Sequence, residues 1–547
     1  MSQVLVVGAG PVGLALALDL GWRGVDVALV EQADGSVGQP KMDMVNVRTM
    51  EFCRRWGIAD RVRAAGFPQD HPQDIVYSTG VLGYELKRDF RPCMAQEPIA
   101  PYSPTKRERC PQNFFDPVLM RAVREQPTVD LRLGHRLADF RDMGDRVIAQ
   151  VEDLARGRTI EVVARYLVAC DGAGSPIRRA LGIGVEGRDA LSYSMNVLIR
   201  SPALTAAIQG RRAYRYVLID PKGLWGSLVA IDGRDVWRLS LIGGGDRRSW
   251  SDADINAAVL KAFGARLPYD VLSAVPWTRR EILAETYRRG QCFLAGDAAH
   301  QMSPTGGYGM NTGIGDAVDL SWKLAACLEG WGGEGLLASY DIERRPVARR
   351  AMEEATANLG RMGKASADPD LLAADAAGDR VRRVVGERVA GLMAREWQSI
   401  GIHIGYRYDA SPICSDEPGP RPPMEVTSYT QTGYPGARAP HVWLPDGRST
   451  LDLFGRGFVV LDLGATPGGA EALVQAANEC GVPCHCHLLA DPAIQAVYGA
   501  ALAIVRPDGH VAWRGDEPPA VPLVLWERLR GATSSDSSTT MRAMRAL

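Results

Sequence analysis

Three short segments of this chain place glycine and a carboxylate where an apolar run ends. Gly8-x-Gly10-x-x-Gly13 follows the apolar run Val4 to Val7. In such a turn Gly8 permits the tight bend, Gly10 lets backbone approach a pyrophosphate, and Gly13 allows close helix–strand packing. The helix that begins there adds amide donors and positive potential. Glu31 closes the next apolar run, where a carboxylate can accept hydrogen bonds from a ribose. Together these residues predict a dinucleotide site. Asp171-Gly172 ends a second apolar run, YLVAC, and Gly296-Asp297 ends a third, CFLA. After Asp297 comes AAHQMSPTGGYGMNTGIG, rich in glycine and poor in charge, leading into a helical pattern.

These segments need a scaffold. Leu14, Ala17, Leu18 and Trp22 recur at helical spacing, and 26–30 returns to a strand, so the N-terminus reads as a βαβ unit on a parallel sheet. From 186 to 280 the pattern changes: YRYVLID, LWGSLVAID and VWRLSLIGG alternate with turn signals, which predicts an inserted antiparallel sheet. The strand–helix pattern resumes at Cys292, and a long helix is expected over 339–361. The Pro-rich PICSDEPGPRPPM reads as a linker. Beyond it FVVLDL, GGAEALVQAANECG, ALAIVRP and HVAWRG form a separate small α/β unit. The resulting divisions are 1–185, 186–280, 281–410, a linker at 411–435, 436–530, and a disordered tail at 531–547.

The totals exclude several roles. The 547 residues carry a net charge of −1, which argues against nucleic acid or an anionic membrane as partner. No apolar run reaches the roughly 18 residues of a membrane span. The chain enters a strand almost at once and shows no leader pattern, so the cytoplasm is the expected location. The ten cysteines are scattered, mostly in apolar runs, and read as buried thiols. CGVPCHCH (480–487) has metal-like spacing, but lies between a helix and a strand and reads as structural; no metal is expected.

The Gly8–Gly13 fingerprint, the Asp171-Gly172 motif and CFLAGDAAH resemble, in this order and at these separations, the single-component FAD aromatic hydroxylases of the p-hydroxybenzoate hydroxylase fold. The resemblance covers about residues 3 to 400. It implies an α/β fold: a Rossmann-like FAD-binding domain with an inserted antiparallel-sheet substrate domain. In that family Gly296 and Asp297 hold the ribityl chain, and Asp171 lies by the pyrophosphate in a motif implicated in NAD(P)H handling. The loop after Asp297 becomes the floor beside the flavin, with Pro304, Gly309, Met310 and Asn311 matching positions next to the ring. PQNFFDPVL, with Gln112, matches a segment that contacts FAD, and Arg48 is placed among the cofactor contacts. Where relatives often have arginine, this chain has Lys41, a point charge in place of a planar fork. His300 is implied to sit near the cofactor without acid–base duty. The last unit resembles the thioredoxin-like C-terminal domain of phenol and polyketide hydroxylases. It lacks a redox Cys-x-x-Cys, so a packing or oligomerisation role is expected.

DMVNVRTMEFCRRWGI resembles the active-site helix of phenol and chlorophenol hydroxylases, and Asp43 takes the place of the group that meets the phenol hydroxyl. The family's flavin hydroperoxide attacks as an electrophile, so a phenolate ring reacts faster than a phenol. With phenol pKa about 10, a base that takes or shares the proton lowers the barrier. Asp43 could instead cap the helix that follows. Arg238 matches a substrate-strand arginine of the phenol hydroxylases, with Ser240 replacing the tyrosine two residues on; an ordinary strand ion pair is the alternative. Tyr214, Tyr216 and Trp225 read as sheet core.

The resemblance therefore implies an FAD- and NAD(P)H-dependent monooxygenase that uses O2 to hydroxylate a small aromatic substrate, a phenol, ortho to its hydroxyl, possibly expelling a nitro or halide group. A homodimer is usual among such relatives. Hydroxylation of an aromatic polyketide is the alternative within the fold, and a flavin reductase or dehydrogenase that never activates oxygen is the alternative outside it.

Overall fold

The computed structural model describes residues 2–244, 249–364, 368–464 and 466–532. The expected tail falls almost wholly outside them.

Strand β1 (Val4–Val7), helix α1 (Pro11–Trp22) and strand β2 (Val27–Glu31) form the predicted βαβ unit. Pro11 at the first helical turn costs nothing there and presets the helix direction. The helix is buried from Gly13 to Gly21, which explains its all-round apolar sequence. β1 pairs in parallel with β2 and with Tyr166–Ala169, which in turn pairs in parallel with Cys292–Leu294. Val129–Leu133 continues the parallel sheet beyond β2. The parallel strands thus run third, second, first, fourth, fifth in chain order, the doubly wound arrangement. Gly8, Glu31, Asp171 and Gly296 all lie at the carboxyl ends of adjacent strands, where such sheets bind ligands.

The inserted sheet has eight strands and is larger than expected. Val185–Arg200 and Asp270–Ala284 form its long backbone, pairing antiparallel. It also takes Ile75–Ser78 and Glu85–Asp89 from the stretch assigned above to the FAD-binding part. One face packs Val197, Ile199, Trp237 and Leu239 against helix Asp252–Phe263. The other carries polar residues. Register puts Arg238 opposite Leu198 and Ser240 opposite Asn196, while Ser192 lies opposite Arg279. Alternation at period two sends these side chains to the face away from that core.

The long helix runs Glu334–Gly363. The Pro-rich linker is strapped down: Ile413 and Cys414 are buried, and Glu417 pairs with Arg514. In the last domain Phe458–Asp462 pairs in parallel with Cys484–Leu488 and antiparallel with Leu502–Val505, which pairs with Val511–Gly515. This is a thioredoxin-like sheet. CGVPCHCH is therefore half an edge strand, with its cysteines and histidines alternating between faces. Among the described residues no cluster of three or more metal-ligating side chains occurs. No helix among them is long and apolar enough to cross a membrane.

Candidate active site

The cradle at the strand ends is built by close backbone packing. A Cβ on Gly13 would sit 1.9 Å from the Gly8 carbonyl oxygen, so only glycine closes this turn. Gly10, by contrast, has no atom within 4 Å of where its Cβ would be, and its backbone faces open space. Glu31 accepts the amides of Ala9 and Ala33, at 2.8 Å each, and so fixes the turn's carboxylate edge. Asp171 accepts the Ile177 amide through Oδ2 (3.2 Å), while its buried Oδ1 has no partner among the described residues. Burial raises its carboxyl above the usual range. Gly296 and Gly313 close over Val12 of the first turn. Asp297 is exposed between buried Gly296 and Ala298, which leaves its carboxylate open at the cradle.

The glycine loop ends at the 20-residue helix Gly309–Leu328, whose start has no side-chain cap among the described residues. Its amides remain available for negative charge. Gly306 adopts φ +96°, and a Cβ there would strike the Tyr308 ring. Pro304 is exposed, and Met310 is half-buried against the core. Asn311 is spent internally. It accepts the Asn46 amide (3.0 Å) and the Thr49 hydroxyl (2.8 Å) and donates to Met44 and Gly307. Open space at Gly10, the unpartnered Asp171 oxygen, the free Asp297 carboxylate and the uncapped helix suit a long, anionic, ribose-bearing dinucleotide such as FAD.

Not every expected cofactor residue faces this cradle. Arg48 pairs with Glu51 (2.9 Å) and donates to the Asp508 carbonyl of the last domain (2.9 Å), so the structure does not bring it to the group. Gln112 accepts the Lys41 amide and donates to Asp116, which positions the 39–43 segment. His300 is buried against Asp316 at 2.7 Å, in keeping with a structural role.

Asp43 does not cap a helix. Asn46 caps α2 (Val47–Arg55) by accepting the Thr49 amide. Asp43 instead receives the Tyr214 hydroxyl and lies 3.4 Å from Arg109 and 3.5 Å from Arg238. Burial pushes its carboxyl up, but Arg109, Arg238 and Tyr214 outweigh that and hold it below the usual range. Arg109 lies over the Tyr214 ring at 3.4 Å, and Arg238 also donates to the Pro40 carbonyl at 2.8 Å. Next to this cluster Arg215 pairs with Glu396 (3.4 Å), and the Gly306 backbone amide is near enough to favour the charged form of Glu396. The ion cluster therefore adjoins the glycine loop.

Sequence reasoning missed Arg109, Arg215, Arg279 and Glu396 and set Tyr214 aside as core. The one available signal was position: the short strand carrying Arg109 pairs with Met44, the neighbour of Asp43. Tyr216 does lie in the sheet core, against Trp237.

Comparison with known proteins points the same way. A family described as FAD binding domain matches residues 1–355, and one described as aromatic-ring hydroxylase, C-terminal, matches 432–533. The rebeccamycin biosynthetic enzyme RebC, solved with reduced flavin, is 42% identical with a TM-score of 0.91, over 97% of this chain and 99% of that one. Another RebC structure holds 7-carboxy-K252c. Tetracenomycin B2 monooxygenase-dioxygenase of Streptomyces olivaceus is 34% identical over 95% of this chain and 96% of its own length. The 2,4-dichlorophenol 6-monooxygenase of Delftia acidovorans is 30% identical over 94% of each.

Proposed function

Because the chain belongs to the FAD-dependent aromatic-ring hydroxylases, we propose that it hydroxylates a phenolic ring held between the glycine loop and the polar face of the inserted sheet. One atom of O2 enters the ring, the other leaves as water, and NAD(P)H supplies the electrons. The observation that carries this reading is the buried cluster of Asp43, Arg109, Arg238 and Tyr214, flanked by the Arg215–Glu396 pair on the side of the glycine loop.

Bound FAD supplies the redox chemistry, taking electrons from NAD(P)H and reacting with O2. The chain's own residues supply binding and charge. Gly10 and the start of α1 receive the pyrophosphate, Asp171 and Asp297 accept hydroxyl donors, and the amides from Gly309 onward stabilise negative charge on the ring system. Asp43 works as an anchor. A carboxylate already held ionised by two guanidiniums is a weak base toward a phenol. Its service is to hold Arg109, Arg238 and Tyr214 in place. The cations then favour the phenolate form of the substrate, and a phenolate ring is the better partner for an electrophilic oxygen.

The relatives support two readings of substrate size. Ser240, a smaller side chain where phenol hydroxylases have a tyrosine, and the 42% identity to RebC favour a polycyclic aromatic. A single-ring phenol is the second reading, favoured by Asp43 and the Arg48–Glu51 segment and by the dichlorophenol relative. The test is NAD(P)H oxidation by the flavin-loaded enzyme under 18O2, with phenols, catechols and hydroxylated polycyclic aromatics. Stimulated oxidation with one labelled oxygen in the product is expected. Consumption of NAD(P)H with an artificial acceptor, and no labelled product from any aromatic, would instead place the chain among the non-oxygenating flavoproteins.

A further inference from the structure

The segment 35–42 lies as a strap along one face of the helix Gln112–Arg124. Gln112, Asp116 and Met120 recur at i, i+4 spacing and share that face. At one end the strap touches Met120, whose methyl group a Cβ on Gly35 would meet at 2.6 Å. At the other end Gln112 accepts the Lys41 amide (3.0 Å), and its own amide donates to the Met42 carbonyl (3.0 Å). Between these two attachments the strap passes over Asp116. Two further bonds tie it to the inserted sheet: Gln39 donates to the Asn196 carbonyl (3.1 Å), and the Pro40 carbonyl accepts Arg238 (2.8 Å).

Asp116 is badly served beneath it. The residue is 4% exposed. Its Oδ2 accepts Gln112 Nε2 at 2.9 Å, while its buried Oδ1 has no hydrogen-bond partner among the described residues. An ionised carboxylate offers about four acceptor sites, so burying it with one of them filled is costly. Burial raises the Asp116 carboxyl to about 7, against the lowering effects of Gln112 and Lys41. Lys41, on the strap, is the charged group that acts on it. The Cys110 thiol faces it from just ahead of the helix, but burial holds that thiol far above its usual range, so it does not titrate near neutrality.

Strap and proton are linked. With the strap down, Asp116 is dry and keeps its proton up to a pH of about 7. With the strap lifted, the carboxyl meets water and returns toward its ordinary value, about 3.9. The closed state therefore binds the proton more tightly than the lifted state. Its contribution to closure is full below about pH 4, falls about tenfold per unit as the pH rises, and is gone above about 7. Lifting has a consequence for the neighbouring cluster: it takes the Pro40 acceptor away from Arg238, and the chain runs on directly into Asp43.

We propose that residues 35–42 form a proton-latched strap, closed by the neutral acid of Asp116 and loosened when that acid ionises. The strap joins Glu31, at the carboxylate edge of the cradle, to Asp43 in the ion cluster. One carboxyl that belongs to neither half thus sets how firmly the two are held together. Asp116 touches no reacting group; it acts through Gln112 and the backbone of 41–42. The proposal concerns the strap alone and is independent of which aromatic is hydroxylated.

Amide hydrogen exchange of the flavin-loaded protein is the test, read at the Lys41 and Gln112 amides and divided by the intrinsic rate at each pH. Exchange at both amides reports lifting of the strap. From about pH 5 to 7 the corrected rate should rise at least about tenfold, and from about 7 to 8 it should level off. Asp116→Asn keeps the shape without the charge and should give the same slow corrected rate throughout that range. Lys41→Met removes the cation that favours the ionised carboxyl, so the levelling-off should move to higher pH. The amides of β1, which report global opening, should show neither change. A corrected rate that is constant with pH in the wild-type protein overturns the proposal, and so does one that falls. A rise that survives Asp116→Asn overturns it too, as does exchange of the strap that tracks β1 at every pH. Where the asparagine variant does not fold, a curve left unmoved by Lys41→Met overturns it. None of these measurements needs turnover, so their failure leaves the hydroxylase reading standing, and failure of hydroxylation leaves their result standing.

Discussion

Replacing Asp43 by Asn tests how the ring hydroxyl is handled. The change keeps shape and removes one charge. Arg109 at 3.4 Å and Arg238 at 3.5 Å lose their counter-ion, and Tyr214 loses an anionic acceptor. At an effective dielectric near 20, each ion pair at this range is worth about 4 kcal/mol before desolvation is subtracted. Most of that is offset by burial, and a charged hydrogen bond nets about 1.5–3 kcal/mol. Losing the hold on Arg238 and Tyr214 should therefore cost about 3 kcal/mol of positioning, which is roughly a hundredfold in kcat/KM. The assay is product formation with a hydroxylated aromatic from pH 6.5 to 9. An anchor predicts a deficit that stays constant with pH, because Asp43 is ionised throughout. A base predicts a deficit that shrinks about tenfold per pH unit as the pH nears the substrate pKa, about 10 for a simple phenol. A shrinking deficit would refute the anchoring argument and return proton abstraction to Asp43. An unchanged rate would remove Asp43 from the chemistry.

Asp297→Ala should yield protein without bound flavin, measured by absorbance at the flavin maximum after purification; full retention would undo the assignment of the exposed carboxylate to the cofactor. Glu51→Gln should lower stability at neutral pH and flatten its acid dependence. Burial opposes ionisation of Glu51, but Arg438 and Arg48 outweigh it and depress its folded pKa to about 2. Its contribution, about 3 kcal/mol, is then full above pH ~4.5 and lost as the pH falls toward 2. Urea denaturation midpoints from pH 3 to 7 measure this, and an acid limb equally steep in the variant would contradict it.

The cofactor half of the site was legible because its signals are local. Gly8, Gly10, Gly13 and Glu31 lie within one βαβ unit, and their spacing alone implies the turn, the helix start and the strand end. Asp171 and Gly296 each end an apolar strand, and parallel pairing brings those ends together. The substrate half was legible only in part. Asp43 and Arg238 were singled out by resemblance, but their partners come from remote stretches. Arg109 arrives through a two-residue strand, Tyr214 and Arg215 through the start of a sheet strand, and Glu396 through the helix Ala376–Trp397. Nothing in the local pattern around Arg279 distinguishes it from Arg280, its exposed-side neighbour; only strand register and burial do. The extent of the inserted sheet was underestimated for the same reason, since Ile75–Ser78 joins it in parallel from a distant stretch. The contact of Arg48 with the last domain was not legible, because its partner Asp508 lies 460 residues away.

The last domain reaches into the site's foundations. Arg438 holds Glu51 of α2, and the Asp508 carbonyl holds Arg48. Arg506 closes on Asp319, Glu343 and Asp508 beneath the glycine-loop helix, where Lys323 is already paired with the first two. Cutting the chain at the Pro-rich strap would leave Glu51, Asp319 and Glu343 facing an interior short of two arginines. The thioredoxin-like domain is thus no interchangeable cassette. Recombination that swapped it between relatives is expected to disturb the helix that follows Asp43, because a foreign domain must also supply the partners of Glu51 and Arg48.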